Sequence, residues 1–376
     1  MLKLPKFIMG FLLTLSAFGA STIYASADTL PNVRVGAAGV IAPANAATRH
    51  KVINSLQKRL PPFNVPPMPP LDMPGWTAVT HDGASFAPYL IKVDHGFGLL
   101  VRGSDNSWYG ADIDLSNLEV LPSNAWNAFP LTGAQYCFQD NRSAKHDGAV
   151  CSSINGGVNV LTAIFAEAGE DETKTVGTGV WDYDYFANLP ANGSPATLAI
   201  TDNTKVRLLA WDGATGMGTT VIVPEGKSTA APPWTKLAFW AYGRPACDGY
   251  GDCVSADGGG DSLSFYHIKL EGDGKPGPTL TLPPVPGGGG MRKGEYAIAW
   301  LGSSIDVFSR SKDGTLYVSA SKNAGASFGP WKSMGATVAE GAAPSCMFWD
   351  SVPTCAILGT DHRIYVHFEG KSGNGL

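Results

Sequence analysis

Apolar residues alternate with polar ones in short runs along much of this chain. The clearest runs are IDVFSRS (Ile305–Ser311) and TLYVSA (Thr315–Ala320), with the step Asp313-Gly314 between them. Period-two alternation predicts half-buried strands. An Asp that caps a turn, followed by a residue that tolerates positive φ, predicts the tight link between them. A Ser/Asn/Gly loop and then Trp331 and Gly335 follow the second strand. Helical periodicity is scarce. One amphipathic helix is predicted over Ala46–Leu60, before the proline-rich stretch Pro61–Gly75, which reads as an extended linker.

The strand–turn–strand unit recurs. Arg102–Tyr109 (RGSDNSWY) matches Arg310–Tyr317 (RSKDGTLY) in order, and Gly359–Tyr365 (GTDHRIY) repeats the Asp-to-Tyr spacing. Asp313 and Asp361 are 48 residues apart, and Asp105 precedes Asp313 by 208, or four steps of 52. The intermediate steps fall on Gly156-Gly157, Asp212-Gly213 and Asp261-Ser262, which makes six turns. Tryptophans give a second ruler. Trp126, Trp181, Trp234 and Trp331 lie at intervals of 55, 53 and 97, with one empty slot near Leu282, and Trp76 stands 50 residues before Trp126. The last turn has no tryptophan after it, whereas the first tryptophan has no turn before it. An N-terminal strand that completes the last unit resolves both mismatches. The expected fold is therefore all-β, a β-propeller of six blades (seven as the alternative), closed by the strand that carries Trp76.

Composition agrees. The 376 residues include 46 Gly and 27 Pro, and 44% are hydrophobic against 16% charged, which suits an all-β chain with many turns. Lys3 and Lys6, the apolar stretch Phe7–Tyr24 and Ala25-Ser26-Ala27 read as a signal peptide cleaved after Ala27, hence a secreted or periplasmic protein. The organisation is then 1–27 signal peptide, 28–75 N-terminal segment and linker, and 76–376 propeller. No later run reaches the length of a membrane span. Cleavage removes two Lys and no acid, so the formal charge moves from −5 to −7. An acidic exported protein is a poor partner for nucleic acid.

All six cysteines lie in the mature part, and an even count in an exported chain suggests disulfides. Local pairing gives Cys137–Cys151, Cys247–Cys253 and Cys346–Cys355, the first and the last of them on the first two strands of their units. No spacing is C-x2-C and no His pair accompanies them, which argues against zinc.

Residues Ile305–Ala320, with AIAW (Ala297–Trp300) before and FGPWKSMG (Phe328–Gly335) after, resemble the repeat of the bacterial fucose-binding propeller lectins, the PLL-like family. Leu99–Asp112 resembles the same unit. The likeness is good over about Phe86–Gly133 and Glu295–Gly335, fair over the last unit and poor over 135–290. Members of that family have seven blades, against six counted here. SKNAGASF (Ser321–Phe328) resembles the Asp-box of sialidase-like propellers, with Asn323 in the Asp position. Such a box implies a blade-stabilising turn and no chemistry.

Sugars present C–H faces together with hydroxyls, so their sites combine an aromatic platform with polar groups. Trp300, Trp349 and Trp240 are the candidate platforms, with Arg102, Arg310, Tyr109 and Tyr317 as repeated neighbours. Repeated aromatics between blades pack more often than they bind, and repeated arginines more often pair with nearby carboxylates or carbonyls. A sialidase-type site would need three arginines for the substrate carboxylate, a Tyr–Glu pair and an acid Asp. Seven Arg lie in the predicted propeller, two of them in equivalent repeat slots, and the F-R-I-P signature is absent. Asp182 and Asp184 alternate on one strand face, as a glycosidase pair would, but such a pair more often marks a solvated strand edge. His362 and His367 fall on opposite strand faces. Ser255–Ser262 (SADGGGDS) has a calcium-loop composition, yet reads better as a flexible loop beside the Cys247/Cys253 clip. Sequons stand at Asn141 and Asn192.

The expected function is glycan recognition without cleavage, with glycans or glycoconjugates as partners and no catalytic residue, cofactor or metal. A glycoside hydrolase of the sialidase-like superfamily is the first alternative, and an adhesin or protein-interaction scaffold the second.

Overall fold

The computed structural model describes the backbone of residues 70–368, without 80–86, 94–95, 103–107, 115–118, 121–126, 130–134, 141–147, 156–157, 168–177, 186–196, 203–204, 213–216, 225–233, 241, 258–261, 271, 289–293 and 350. The expected signal peptide, the expected amphipathic helix, both sequons and most of the expected linker thus lie outside the described residues.

Those residues form strands and no helix. Strand β1 (Trp76–Ala78) comes first. The first sheet holds β2 (Tyr89–Val93), β3 (Gly96–Arg102), β4 (Trp108–Asp114), β5 (Glu119–Val120) and β6 (Asn127–Phe129). The second holds β7 (Gln135–Asp140), β8 (Gly148–Asn155), β9 (Val158–Glu167) and β10 (Thr178–Tyr185). The third holds β11 (Thr197–Asp202), β12 (Lys205–Asp212), β13 (Met217–Pro224) and β14 (Thr235–Trp240). The fourth holds β15 (Tyr242–Cys247), β16 (Asp252–Ala256), β17 (Leu263–His267) and β18 (Leu280–Thr281). The fifth holds β19 (Tyr296–Leu301), β20 (Ser304–Arg310), β21 (Thr315–Ser321) and β22 (Lys332–Thr337). The sixth holds β23 (Ser345–Trp349), β24 (Val352–Leu358) and β25 (Ile364–Phe368), and β1 is its fourth strand.

Pairing within each sheet is antiparallel and joins chain neighbours, save that β1 pairs with β25 and β6 with β4. All six predicted positions fall between the second and third strands of a sheet or at the end of the second, with Asp105, Gly156-Gly157, Gly213 and Asp261 outside the described residues. The fifth shows why Asp recurs there. Asp313 Oδ1 accepts from the Thr315 amide at 3.1 Å and from the Ser311 hydroxyl, and Gly314 takes φ 94°. In the sixth, Asp361 is buried and its Oδ2 accepts from the Tyr365 hydroxyl at 2.6 Å. In this sheet the Asp-to-Tyr spacing is a hydrogen bond from turn to strand.

The tryptophan ruler marks fourth strands, or in the first sheet the second outer partner of β4. Trp331 and Trp234 stand directly before β22 and β14, Trp126 directly before β6 (outside the described residues), Trp181 on β10 and Trp76 at the start of β1. Two of the indoles tie one sheet to the sheet before it. Trp331 Nε1 donates to the Pro283 carbonyl at 2.7 Å, and Trp76 Nε1 donates to the Met334 carbonyl at 2.9 Å.

The core lies between sheets. Leu263, Phe265, Leu282 and Val285 of the fourth sheet pack with Tyr296, Ile298, Ile305 and Val307 of the fifth. Phe308 and Leu316 pack with Ile357, Tyr365 and Trp76 of the sixth and with Leu99 and Tyr109 of the first. First strands neighbour one another in the order β2, β7, β11, β15, β19, β23 and back to β2.

The loop Ser321–Phe328 is a closed hydrogen-bonded turn. Ser321 Oγ accepts from the Gly325 amide at 2.9 Å, and Asn323 Oδ1 accepts from the Ser327 amide at 3.0 Å. It leans on the fourth sheet, where Phe265 meets Phe328 edge-on at 5.2 Å. A Cβ on Gly325 would stand 2.2 Å from Phe265 Cε1, and Gly325 takes φ +79°. Gly325→Ala is therefore expected to lower stability by about 1–3 kcal/mol through overpacking and a strained φ, read as a reduced midpoint in urea unfolding with an unchanged m-value.

Among the described residues two disulfides are present, Cys247–Cys253 and Cys346–Cys355, each with Cα atoms 4.1 Å apart. Each joins directly opposed residues on the first two strands of its sheet. Cys137 and Cys151 are opposed in the same way on β7 and β8. Their side chains lie outside the described residues.

Candidate functional site

The site grows from the hairpin between β15 and β16. Cys247 and Cys253 face each other across the two strands, so their bridge closes the loop Asp248–Asp252 at its base. Asp248 sits inside that loop at 9% exposure. Its Oδ1 accepts from the amides of Tyr250 at 2.8 Å and Asp252 at 2.9 Å, an Asx arrangement that folds the backbone around the carboxyl. Its Oδ2 is buried without a partner of hydrogen-bonding geometry. Burial and, after it, the charge of Asp252 push the Asp248 carboxyl up to about 8, against the backbone amides of Tyr250, Asp252 and Gly251.

Gly251 fixes the path of the same loop. It takes φ +99°, and a Cβ there would stand 2.4 Å from the Ile268 carbonyl. Its own carbonyl accepts from the Ile268 amide at 2.8 Å. On the flank, His267 Nδ1 donates to Asp252 Oδ1 at 2.9 Å. The His267 ring also borders Gly251, with Cε1 at 3.4 Å from the position of a Cβ.

Held in this way, Tyr250 leaves the loop with 45% of its surface exposed. It lands on Trp300, near the end of β19 in the next sheet. The ring centroids are 4.1 Å apart and the planes are tilted by 37°. Trp300 is half-buried, its inner side packed against the core between the fourth and fifth sheets. Exposed Leu301 follows it. An aromatic pair with one exposed ring thus spans two sheets, beside Asp252 of the same hairpin and its partner His267 of β17. Such a surface can stack on a C–H face while polar groups nearby accept hydroxyls.

The other predicted residues are placed as follows. Trp349 ends β23, the first strand of its sheet, as Trp300 lies near the end of β19. Trp240 instead ends β14, a fourth strand, so it does not share their register. Its offset follows from the chain, since the fourth sheet starts two residues later, at Tyr242. Tyr109 is fully buried between the sheets, and Tyr317 packs against the core of the fourth and fifth. Arg102 ends β3 half-buried.

Arg310 is buried and engaged. Its Nη1 lies 3.3 Å from Glu295 Oε2, and its Nε donates to the Val338 carbonyl at 2.9 Å. Arg207 donates to the carbonyls of Leu270 and Gly272, both at 2.9 Å. Arg363 Nη1 lies 3.2 Å from Asp361 Oδ2. Each of these three cations thus serves a different local contact. Asp182 and Asp184 alternate on β10 opposite Ala163 and Leu161, as expected from their spacing, while their side chains lie outside the described residues. His362 sits in a turn with φ 64°, and His367 Nδ1 donates to the Gly75 carbonyl at 2.7 Å. No group of metal-binding side chains occurs among the described residues.

Sequence reasoning reached Trp300 and missed Tyr250, Asp248, Asp252 and His267. The signal was present in CDGYGDC (Cys247–Cys253), an aromatic inside a cysteine-closed loop flanked by two Asp. The repeat rulers ran past it because it lies between a first and a second strand.

No protein-family model matches this chain, and no curated protein matches it. Solved structures do. A mutant of the Aleuria aurantia lectin in complex with Fucα1-6GlcNAc is 11% identical, with a TM-score of 0.53 over 78% of this chain and 95% of that one. AofleA from Arthrobotrys oligospora is also 11% identical, with a TM-score of 0.51 over 80% and 88%. A further structure of the Aleuria lectin, described as a six-bladed β-propeller with a fucose recognition mode, scores 0.44 at 12% identity over 78% and 93%, too low to weigh. At such identities the likeness concerns fold alone: this chain is all-β and of the propeller type.

Proposed function

We propose that the chain is an exported six-bladed β-propeller that binds glycans without cleaving them. Support for the ring comes from the cyclic order of the first strands and from β1 as the fourth strand of the last sheet. Support for export comes from the N-terminal leader pattern and from two disulfides, bonds that persist in oxidising compartments. Cys137–Cys151 is the third bridge in this reading. Among the described residues no helix is long and apolar enough to cross a membrane.

The single observation that carries glycan binding is the Trp300–Tyr250 pair. An exposed ring stacked on a half-buried one across neighbouring sheets leaves an apolar surface where packing alone would bury it. Trp349, which ends the first strand of the sixth sheet, is the second candidate platform in this reading, its side chain lying outside the described residues. The buried arginines are structural, and Ser321–Phe328 acts as a stabilising turn of Asp-box type.

The test is glycan-array binding of the mature protein, with methyl α-L-fucoside among the competitors, run beside a panel of fluorogenic glycosides. Binding to a defined glycan set with no released fluorophore is expected. Release of fluorophore would replace this reading with a hydrolase, and an array without signal would sink it.

A further inference from the structure

Tyr250 has no rigid strand beneath it. Its position depends on the loop around Asp248, and that loop is built on one buried carboxyl. Oδ1 gathers the amides of Tyr250 and Asp252, while Oδ2 has no partner of hydrogen-bonding geometry. A buried carboxylate with one unsatisfied oxygen is costly, whereas the protonated form carries no charge to desolvate.

We propose that Asp248 is a positioning residue for the aromatic platform: protonated, it holds the Tyr250 ring against Trp300, and as pH rises its ionisation loosens the loop and weakens ligand binding. The inference rests on the glycan-binding reading for its consequence, but not for its mechanism.

The groups that act on Asp248 are few. Asp252, on the same hairpin, repels its ionised form, and Asp252 is itself paired with His267 of β17. Backbone amides of Tyr250, Gly251 and Asp252 pull the other way. From the neighbouring sheet the contact on the loop is the uncharged indole of Trp300. The sign then follows by linkage. In the closed loop the carboxyl titrates at about 8, and in an opened, solvated loop near the ordinary ~3.9. The closed loop therefore binds a proton that the open loop releases. Its advantage is complete below roughly pH 4, falls by about tenfold per pH unit between roughly 4 and 8, and is constant above. The Cys247–Cys253 bridge limits the opening to the loop itself.

The experiment uses the mature chain and Asp248→Asn. Asn keeps the acceptor for both amides and cannot ionise. Hydrogen exchange of the 248–252 amides is compared at pH 5.5, 7 and 8.5 as protection factors. In the wild type, protection should fall by roughly tenfold per pH unit up to about pH 8, while in Asp248→Asn it should stay flat. Equal pH dependence in both chains, or none in the wild type, would overturn the proposal. If Asp248→Asn does not fold, Asp252→Asn replaces it: loss of the repelling charge must shrink the pH-dependent fall, and an unchanged fall would again overturn the proposal. A parallel titration on the best array glycan keeps the two readings separate. Protection that moves with pH while no glycan binds at any pH would leave the Asp248 mechanism standing and remove the lectin function.

Discussion

A mature chain that starts at residue 80 is expected to melt well below one that starts at residue 70. The ten residues between them supply the fourth strand of the sixth sheet. Trp76, Thr77 and Ala78 pair with His367, Val366 and Tyr365. Met73, Trp76 and Val79 are buried in the core that joins the fifth, sixth and first sheets. At about 1.5–3 kcal/mol for each large apolar side chain, their loss amounts to ~5 kcal/mol or more. Polar ties go with them. The Trp76 indole donates to Met334, the Val79 amide to the Ile364 carbonyl, and the Leu71 amide to the Tyr365 hydroxyl. At roughly 2–4 °C per kcal/mol for a large domain, the midpoint should drop by about 10 °C or more. The bared edge of β25 should also promote association. Calorimetry with light scattering reads both effects. Equal midpoints for the two chains would show that the N-terminal strand closes nothing.

Truncation of Glu295 to Ala should cost about 3–5 kcal/mol, because it leaves the Arg310 guanidinium buried and uncompensated. The Glu295 side chain is 1% exposed and the Arg310 side chain 10%. Glu295 also accepts from the Gly341 amide, in the connection to the sixth sheet, so one carboxylate serves two sheets. The paired change Glu295→Leu with Arg310→Met should recover most of the loss, since a buried ion pair is worth little against packed apolar groups. Chemical denaturation of the single and double variants checks both statements. If Arg310 instead served the ligand, the double variant would fold well but lose glycan affinity. An unchanged affinity is expected.

Much of the fold was legible because the fold is a repeat. The Asp-led turns are visible since one side chain must collect the turn amides, as Asp313 and Asp361 do. The tryptophans are visible since an indole both fills the space between sheets and donates to the sheet before it. The mismatch at the two ends was legible for the same reason, as β1 pairs with β25. Residues 135–290 resemble the family repeat poorly, yet they form strands on the same plan.

The site was less legible. Trp300 could be named from its place in the repeat, but whether a repeated tryptophan packs or binds depends on what the neighbouring sheet sets against it. For Trp300 that is Tyr250, which belongs to a loop outside the repeat. Trp240 reads in the sequence as a third candidate of the same kind, yet it ends a fourth strand. Arg310 matched Arg102 in sequence because both end a second strand, and nothing in that match reveals the buried carboxylate beside Arg310.

The most direct test of the central claim is the affinity of the mature chain for its best array glycan, compared with Trp300→Ala and Tyr250→Ala by titration calorimetry at pH 6. Tyr250 stands at the surface, so Tyr250→Ala should fold with nearly unchanged melting; Trp300 packs its inner side against the core, so Trp300→Ala should melt lower and is titrated well below its transition. The account predicts that each loses binding by about tenfold or more, the scale on which one stacked aromatic contributes to a site. Unchanged affinity in both variants would contradict it, and would mean that the pair joins two sheets and does nothing more.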